Sequence, residues 1–137
     1  GSMLAGSKAT IQKARRLRKI LGGGMRQAGI LAAAGIYALE YHVERLRVDH
    51  VRAAQLAHGL SEIPGVKLTR STPHTNLIFL ELDETVDIET QDFIAKLDER
   101  GVLIMDVGSR EFRLVTHLDT PDEAVEQCIH AFEDILN

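Results

Sequence analysis

Leu21-Gly22-Gly23-Gly24-Met25-Arg26-Gln27-Ala28-Gly29 separates a strongly basic segment from a long alanine-rich one. Three successive glycines can take positive φ without a Cβ clash, so the backbone can curl and aim several N–H groups into one concavity. Met25-Arg26-Gln27-Ala28 then opens an apolar run with helical spacing, whose N-terminal donors and positive dipole end would face the same spot. Lys19 and Arg26 flank the turn and add full positive charge, which makes a phosphate or carboxylate the natural guest. The plainer reading is that the glycines end one helix and turn the chain into the next, with Gly22 at the C′ position. The pattern is not the eight-residue phosphate loop ending in Gly-Lys-Ser/Thr.

Working outward, residues 8–21 read as a helix with Ser7 as N-cap and an apolar stripe of Ile11, Ala14, Leu17, Ile20 and Leu21 opposite a basic face. Residues 1–3 read as a leftover of cloning or, alternatively, residues 2–5 as the end of a strand that starts upstream. On the other side, residues 26–41 form a helix that is apolar almost all round, which belongs between elements or between subunits. Residues 43–60 are amphipathic and read as a solvated connecting helix, ended near Gly59 and Pro64. The second half changes rhythm. Strands are expected at 66–69, 75–82, 102–105 and 111–116, with helices at 87–100 and 120–136, the first stopped by Gly101 and the second opening Thr-Pro-Asp-Glu. The expected class is α/β: a helical segment over residues 1–62, then a small β-β-α-β-β-α sandwich over residues 63–137.

Composition narrows the function. The 137 residues fit one domain that buries about two-thirds of its unfolded surface. Net charge is −4, but residues 1–39 hold seven bases and no acid, and the remainder nine bases against twenty acids. An anionic partner for the first segment follows: a cofactor phosphate, a nucleic acid, a membrane surface or the acidic part of another copy. The single cysteine, Cys128, forms no intrachain disulfide and sits at an apolar helix position as a buried, inert thiol. His42, His50 and His58 recur every eight residues and so diverge around a helix instead of converging on a metal. No apolar run reaches the length of a membrane span and no secretory signal stands out, so a cytoplasmic chain is expected.

Arg113, between Phe112 and Leu114 in a strand read as largely buried, needs an anion. An internal acid such as Asp106 or Glu111 would serve, and so would a substrate carboxylate gripped by the planar guanidinium fork. A phosphate site and a carboxylate site together suit an amino-acid enzyme that uses pyridoxal phosphate.

Gly1-Ser2-Met3-Leu4-Ala5-Gly6-Ser7, Arg18-Lys19, the block from Gly22 through Gly35, Asp49-His50 and Arg113-Leu114-Val115-Thr116-His117 together resemble the C-terminal part of low-specificity threonine aldolases. These are fold-type-I pyridoxal-phosphate lyases. The resemblance implies retro-aldol cleavage of L-threonine or L-allo-threonine to glycine and acetaldehyde, with pyridoxal 5'-phosphate as electron sink. It places Arg113 on the substrate carboxylate, and Lys19 and Arg26 at the cofactor phosphate, across a subunit interface of a homotetramer. It also places the Schiff-base lysine upstream of the segment matching residues 1–5. No catalytic residue is therefore assigned in this chain, which is expected to need a missing N-terminal cofactor-binding part and to be inactive alone. Two other readings stay open on the residues themselves. The basic helix suits an anion or nucleic-acid module, although no aromatic lies near Arg15, Arg16, Arg18 and Lys19 for stacking. The alanine-rich helix suits a non-catalytic, self-associating domain.

Overall fold

The computed structural model describes residues 3–137. In chain order the elements are α1 (Lys8–Ile20), α2 (Gly29–Tyr41), α3 (Leu46–Ser61), β1 (Val66–Leu68), β2 (Leu77–Leu82), α4 (Thr90–Asp98), β3 (Met105–Gly108), β4 (Glu111–Val115) and α5 (Asp122–Leu136). They fall into two compact units, residues 1–41 and 42–137. The boundary drawn from sequence lay at residues 62 and 63; the structure groups α3 with the α/β part. The cause is the face α3 buries: Ala53, Leu56, Ala57 and Leu60 join the core, while Val51 and Leu46 remain about half exposed.

In the first unit, Ser7 caps α1 by accepting a hydrogen bond from the Thr10 amide at 3.2 Å. Residues 3–5 belong to no helix or strand, and Ser2, the first residue of the expected strand end, lies outside the described residues. The helix expected to open at Met25-Arg26 begins at Gly29, because Gln27 takes a left-handed φ of 49° that no α-helix accommodates. Neither α1 nor α2 contains a buried residue.

In the second unit the four strands form one antiparallel sheet in the order β1-β2-β4-β3. Alternation decides its faces. Ile78, Leu80, Leu82, Phe112 and Leu114 point into the core, with Ile78 opposite Leu114 and Leu80 opposite Phe112. Phe93 of α4 packs edge-on against Phe112 and against Phe132 of α5, with ring centroids 5.4 and 5.1 Å apart, and Leu97, Val125, Cys128 and Ala131 complete the layer. Residues 102–104, expected as strand, precede it. The Val102 amide is still bonded to the Leu97 carbonyl at 2.9 Å, and Gly101 turns the helix end with φ 75°, so pairing starts only at Met105. Thr120, expected as the cap of α5, instead accepts from the His117 amide, and Pro121 stands at the N-cap with Asp122 and Glu123 in the first turn.

Candidate functional site

The glycine block resolves into a helix stop. The Gly23 amide donates to the Arg18 carbonyl at 2.7 Å and the Gly22 amide to the Lys19 carbonyl at 3.2 Å, with Gly22 at φ 83°. This is the paired closure of a Schellman motif, and the Gly24 amide turns to the Gly22 carbonyl at 3.0 Å. The expected nest of free glycine N–H groups is therefore absent, since the donors satisfy the C-terminus of α1. The start of α2 also lies beyond Arg26, so its dipole is not aimed from Met25.

What remains for an anion is side-chain charge. A Cβ on Gly24 would come within 3.0 Å of Lys19 Nζ, so the bare glycine lets the ammonium lie across the turn. A Cβ on Gly23 would meet Arg18 Cγ at 2.7 Å and its carbonyl oxygen at 3.0 Å, a cradle that only glycine fits. Lys19 and Arg26 are both exposed, and neither takes part in an ion pair among the described residues. The residues thus fit a phosphate by unneutralised charge and close backbone approach, while the backbone donors are spent elsewhere.

Arg113 lies in the second unit, on the face of the sheet opposite the core. Phe112 and Leu114 point inward and Arg113 outward, paired across the sheet with Phe79 on one side and Met105 on the other. It is half-buried, its Nη2 sits 3.3 Å from Met105 Sδ, and its Nε is buried without a hydrogen-bond partner among the described residues. Neither Asp106 nor Glu111 pairs with it, and none of the ion pairs among the described residues includes it. A guanidinium with five donors, one thioether neighbour and no acid is prepared for a planar anion.

Sequence reasoning missed two arginines of this unit. The guanidinium of Arg70 stacks on Phe79 with its central carbon 3.6 Å from the ring centroid, which places a second cation beside the Phe79–Arg113 pair. Arg110, with φ 63°, spends its guanidinium on the carbonyls of Leu82, Asp83, Val86 and Ile88 at 2.7–3.2 Å and so fastens the loop between β2 and α4. No motif marks either residue, because arginines in loops ordinarily face water.

Burial pushes the Cys128 thiol up to about 12, which keeps it un-ionised and unreactive. Asp83 is held well below the usual carboxylate range, first by Lys67 and then by the amide and hydroxyl of Thr85. Among the described residues no cluster of His, Cys, Asp and Glu could hold a metal ion, and no helix is long and apolar enough to cross a membrane.

The chain is 43% identical over 127 residues to the low specificity L-threonine aldolase of Escherichia coli, matching 93% of this chain and 36% of that enzyme. To low-specificity L-threonine aldolase 1 of Arabidopsis thaliana it is 33% identical over 136 residues, 99% of this chain and 38% of that protein. The chain thus spans little more than a third of the length of these relatives. Its fold resembles the cystine C-S lyase C-DES solved with its product cysteine persulfide, at a TM-score of 0.64, 20% identity, and coverage of 80% of this chain and 29% of that one. It also resembles the alpha-aminoadipate aminotransferase of Thermus thermophilus, at a TM-score of 0.62 and 16% identity over 96% of this chain and 37% of that one. Both likenesses are to the α/β fold of fold-type-I enzymes, the architecture that the sequence resemblance implied. Residues 1–85 match the beta-eliminating lyase family. With more than half of its length matched, the chain belongs to the beta-eliminating lyases.

Proposed function

We propose that the chain is the C-terminal portion of a threonine aldolase that cleaves L-threonine or L-allo-threonine to glycine and acetaldehyde. The observation that carries this reading is the unpaired Arg113 guanidinium on the sheet face away from the core, in a chain 43% identical to a threonine aldolase. Arg113 holds the amino-acid carboxylate through its fork, which fixes the rotation of the substrate about its Cα. Lys19 and Arg26 hold the phosphate of pyridoxal 5'-phosphate, with Gly24 leaving room for the Lys19 ammonium. When bound, the cofactor supplies the electron sink for breaking the Cα–Cβ bond. The rest of the complete polypeptide supplies the lysine that carries the cofactor and the base for the β-hydroxyl proton.

The exposed apolar surface of α2 supports an assembly of several copies. Ile30, Leu31, Ile36 and Leu39 are each more than half exposed in a helix whose sequence is apolar almost all round. A homotetramer in which Lys19 and Arg26 serve a neighbouring subunit's cofactor is the arrangement we favour.

Acetaldehyde released from L-threonine by the complete polypeptide, followed by coupling to an alcohol dehydrogenase, tests the reaction. Turnover that depends on pyridoxal phosphate is expected. A protein that binds the cofactor but releases no acetaldehyde from either threonine isomer would overturn the aldolase reading.

A further inference from the structure

Arg113 is gripped very lightly. Its register partner on β3 is Met105, so the two side chains leave the sheet on one face, and the contact between them is Met105 Sδ to Arg113 Nη2 at 3.3 Å. On the β2 side its register partner is Phe79, whose ring already carries Arg70. Arg113 therefore stands in register between a methionine and a phenylalanine, its guanidinium touching the thioether, with no carboxylate pairing with it among the described residues.

We propose that Met105 is the positioning residue for Arg113, setting the guanidinium plane without neutralising it. This rests on the reading of Arg113 as the holder of the substrate carboxylate. An acid at position 105 would orient the guanidinium more firmly, but it would cancel the charge and occupy the fork that the substrate needs. An aliphatic side chain would leave the charge free and the plane unset. A thioether is a weak, uncharged acceptor. It takes one Nη2 hydrogen and leaves the other donors, and the full positive charge, for an incoming carboxylate. Arg70, on the same face through Phe79, raises the positive potential there while its own guanidinium is engaged with the ring.

The test uses the complete, cofactor-loaded polypeptide and its Met105→Leu, Met105→Gln and Arg113→Ala variants. Binding is measured calorimetrically with two probes: glycine, which has the carboxylate, and 2-aminoethanol, which lacks it. Leucine keeps the volume and removes the acceptor, so Met105→Leu is expected to weaken glycine about two- to fivefold. It should raise KM for threonine to match, leave kcat unchanged and leave 2-aminoethanol unaffected. Glutamine restores an uncharged acceptor and should recover most of the glycine affinity. Undiminished glycine affinity in Met105→Leu, beside a clear loss in Arg113→Ala, would overturn the positioning role and leave the carboxylate reading standing. Equal weakening of both probes by Met105→Leu would also overturn it, as general disturbance of the sheet. Unchanged glycine binding in Arg113→Ala would remove the carboxylate reading and this proposal together.

Discussion

The hydroxyl of Thr116 donates to the backbone carbonyl of Asp49 at 2.7 Å, joining the end of β4 to the first turn of α3. The same residue is held on its backbone: its amide donates to the Asn76 carbonyl at 3.0 Å, and Asn76 Nδ2 donates to the Thr116 carbonyl at 2.8 Å. The Asp49 carboxylate is gripped by Arg45 at 2.6 and 3.0 Å. Thr116 is fully buried and Asp49 nearly so. Three segments distant in sequence thus meet three residues beyond Arg113. Thr116→Val keeps the shape and deletes the donor, so we expect a loss of about 1 kcal/mol. A lower urea midpoint with an unchanged slope would show it.

If Arg113 holds the substrate carboxylate as proposed, Arg113→Ala in the complete polypeptide removes that charge-assisted pair. Such hydrogen bonds contribute about 1.5–3 kcal/mol, so kcat/KM for threonine should fall about ten- to a hundredfold. Cofactor content, read from the absorption spectrum, should not change, because the cofactor phosphate is assigned to Lys19 and Arg26. A variant that loses cofactor and not substrate affinity would contradict the assignment.

The extent to which such positions can be read from sequence follows from physical signals of unequal strength. β2 was legible as a short, nearly continuous apolar run and β4 from its apolar residues Phe112, Leu114 and Val115; in the structure Ile78, Leu80 and Leu82 alternate with half-buried or exposed neighbours, as Phe112 and Leu114 do. The same alternation turns Arg113 away from the core, a consequence that a reading of its apolar neighbours as general burial overlooks. The inner face of α3 was hidden because it is built from Ala53, Ala57 and the buried Asp49 beside Leu56 and Leu60. Alanine is neutral in pattern, and a buried acid announces itself only when its arginine is found. At the glycine block, composition permits either a helix stop or an anion nest. Only the hydrogen-bond partners distinguish them, and they chose the stop. Lys19 and Arg26 could still be singled out, because charge without compensating acids is visible in sequence.

Arg110→Ala would leave four loop carbonyls without their shared donor. Each regains water in part, since the group is half-buried, so the expected cost is about 2–3 kcal/mol, not the sum of four bonds. Hydrogen exchange should accelerate at the amides of Val86 and Ile88, which now bond to Asp83 and Val86 carbonyls, ahead of the core strands.

The Lys67–Asp83 pair predicts a pH response with a definite sign. Asp83 has a lowered folded pKa, so its stabilising contribution is complete above the ordinary carboxylate pKa of about 4 and is lost as pH falls from there through the folded value. Lys67 has a raised pKa through the same partner, so its share is complete below its ordinary value and is lost as pH rises through the folded one. Lys67 faces solvent and Asp83 is partly exposed, so salt should shrink the effect. Thermal midpoints measured between pH 3 and 7, at low and high ionic strength, should show a smaller acid-side decline for Asp83→Asn than for the parent.

Two neighbouring glycines separate backbone strain from ligand geometry. Gly22 has φ 83° and nothing within 4 Å of an added Cβ. Gly22→Ala should therefore cost stability alone, about 1–2 kcal/mol for a left-handed residue, with the Lys19 ammonium undisturbed. At Gly24 the added Cβ meets Lys19 Nζ at 3.0 Å, the far end of a flexible side chain that can move aside cheaply. Gly24→Ala should thus leave stability within about 0.5 kcal/mol and displace the ammonium instead. If Lys19 serves the cofactor phosphate, Gly24→Ala weakens pyridoxal phosphate binding about tenfold and Gly22→Ala does not, since displacing one charge-assisted contact is worth that much. Equal cofactor affinity in the two variants, measured by titration of the apoenzyme, would detach Lys19 from the phosphate and leave Arg26 as the cation to test.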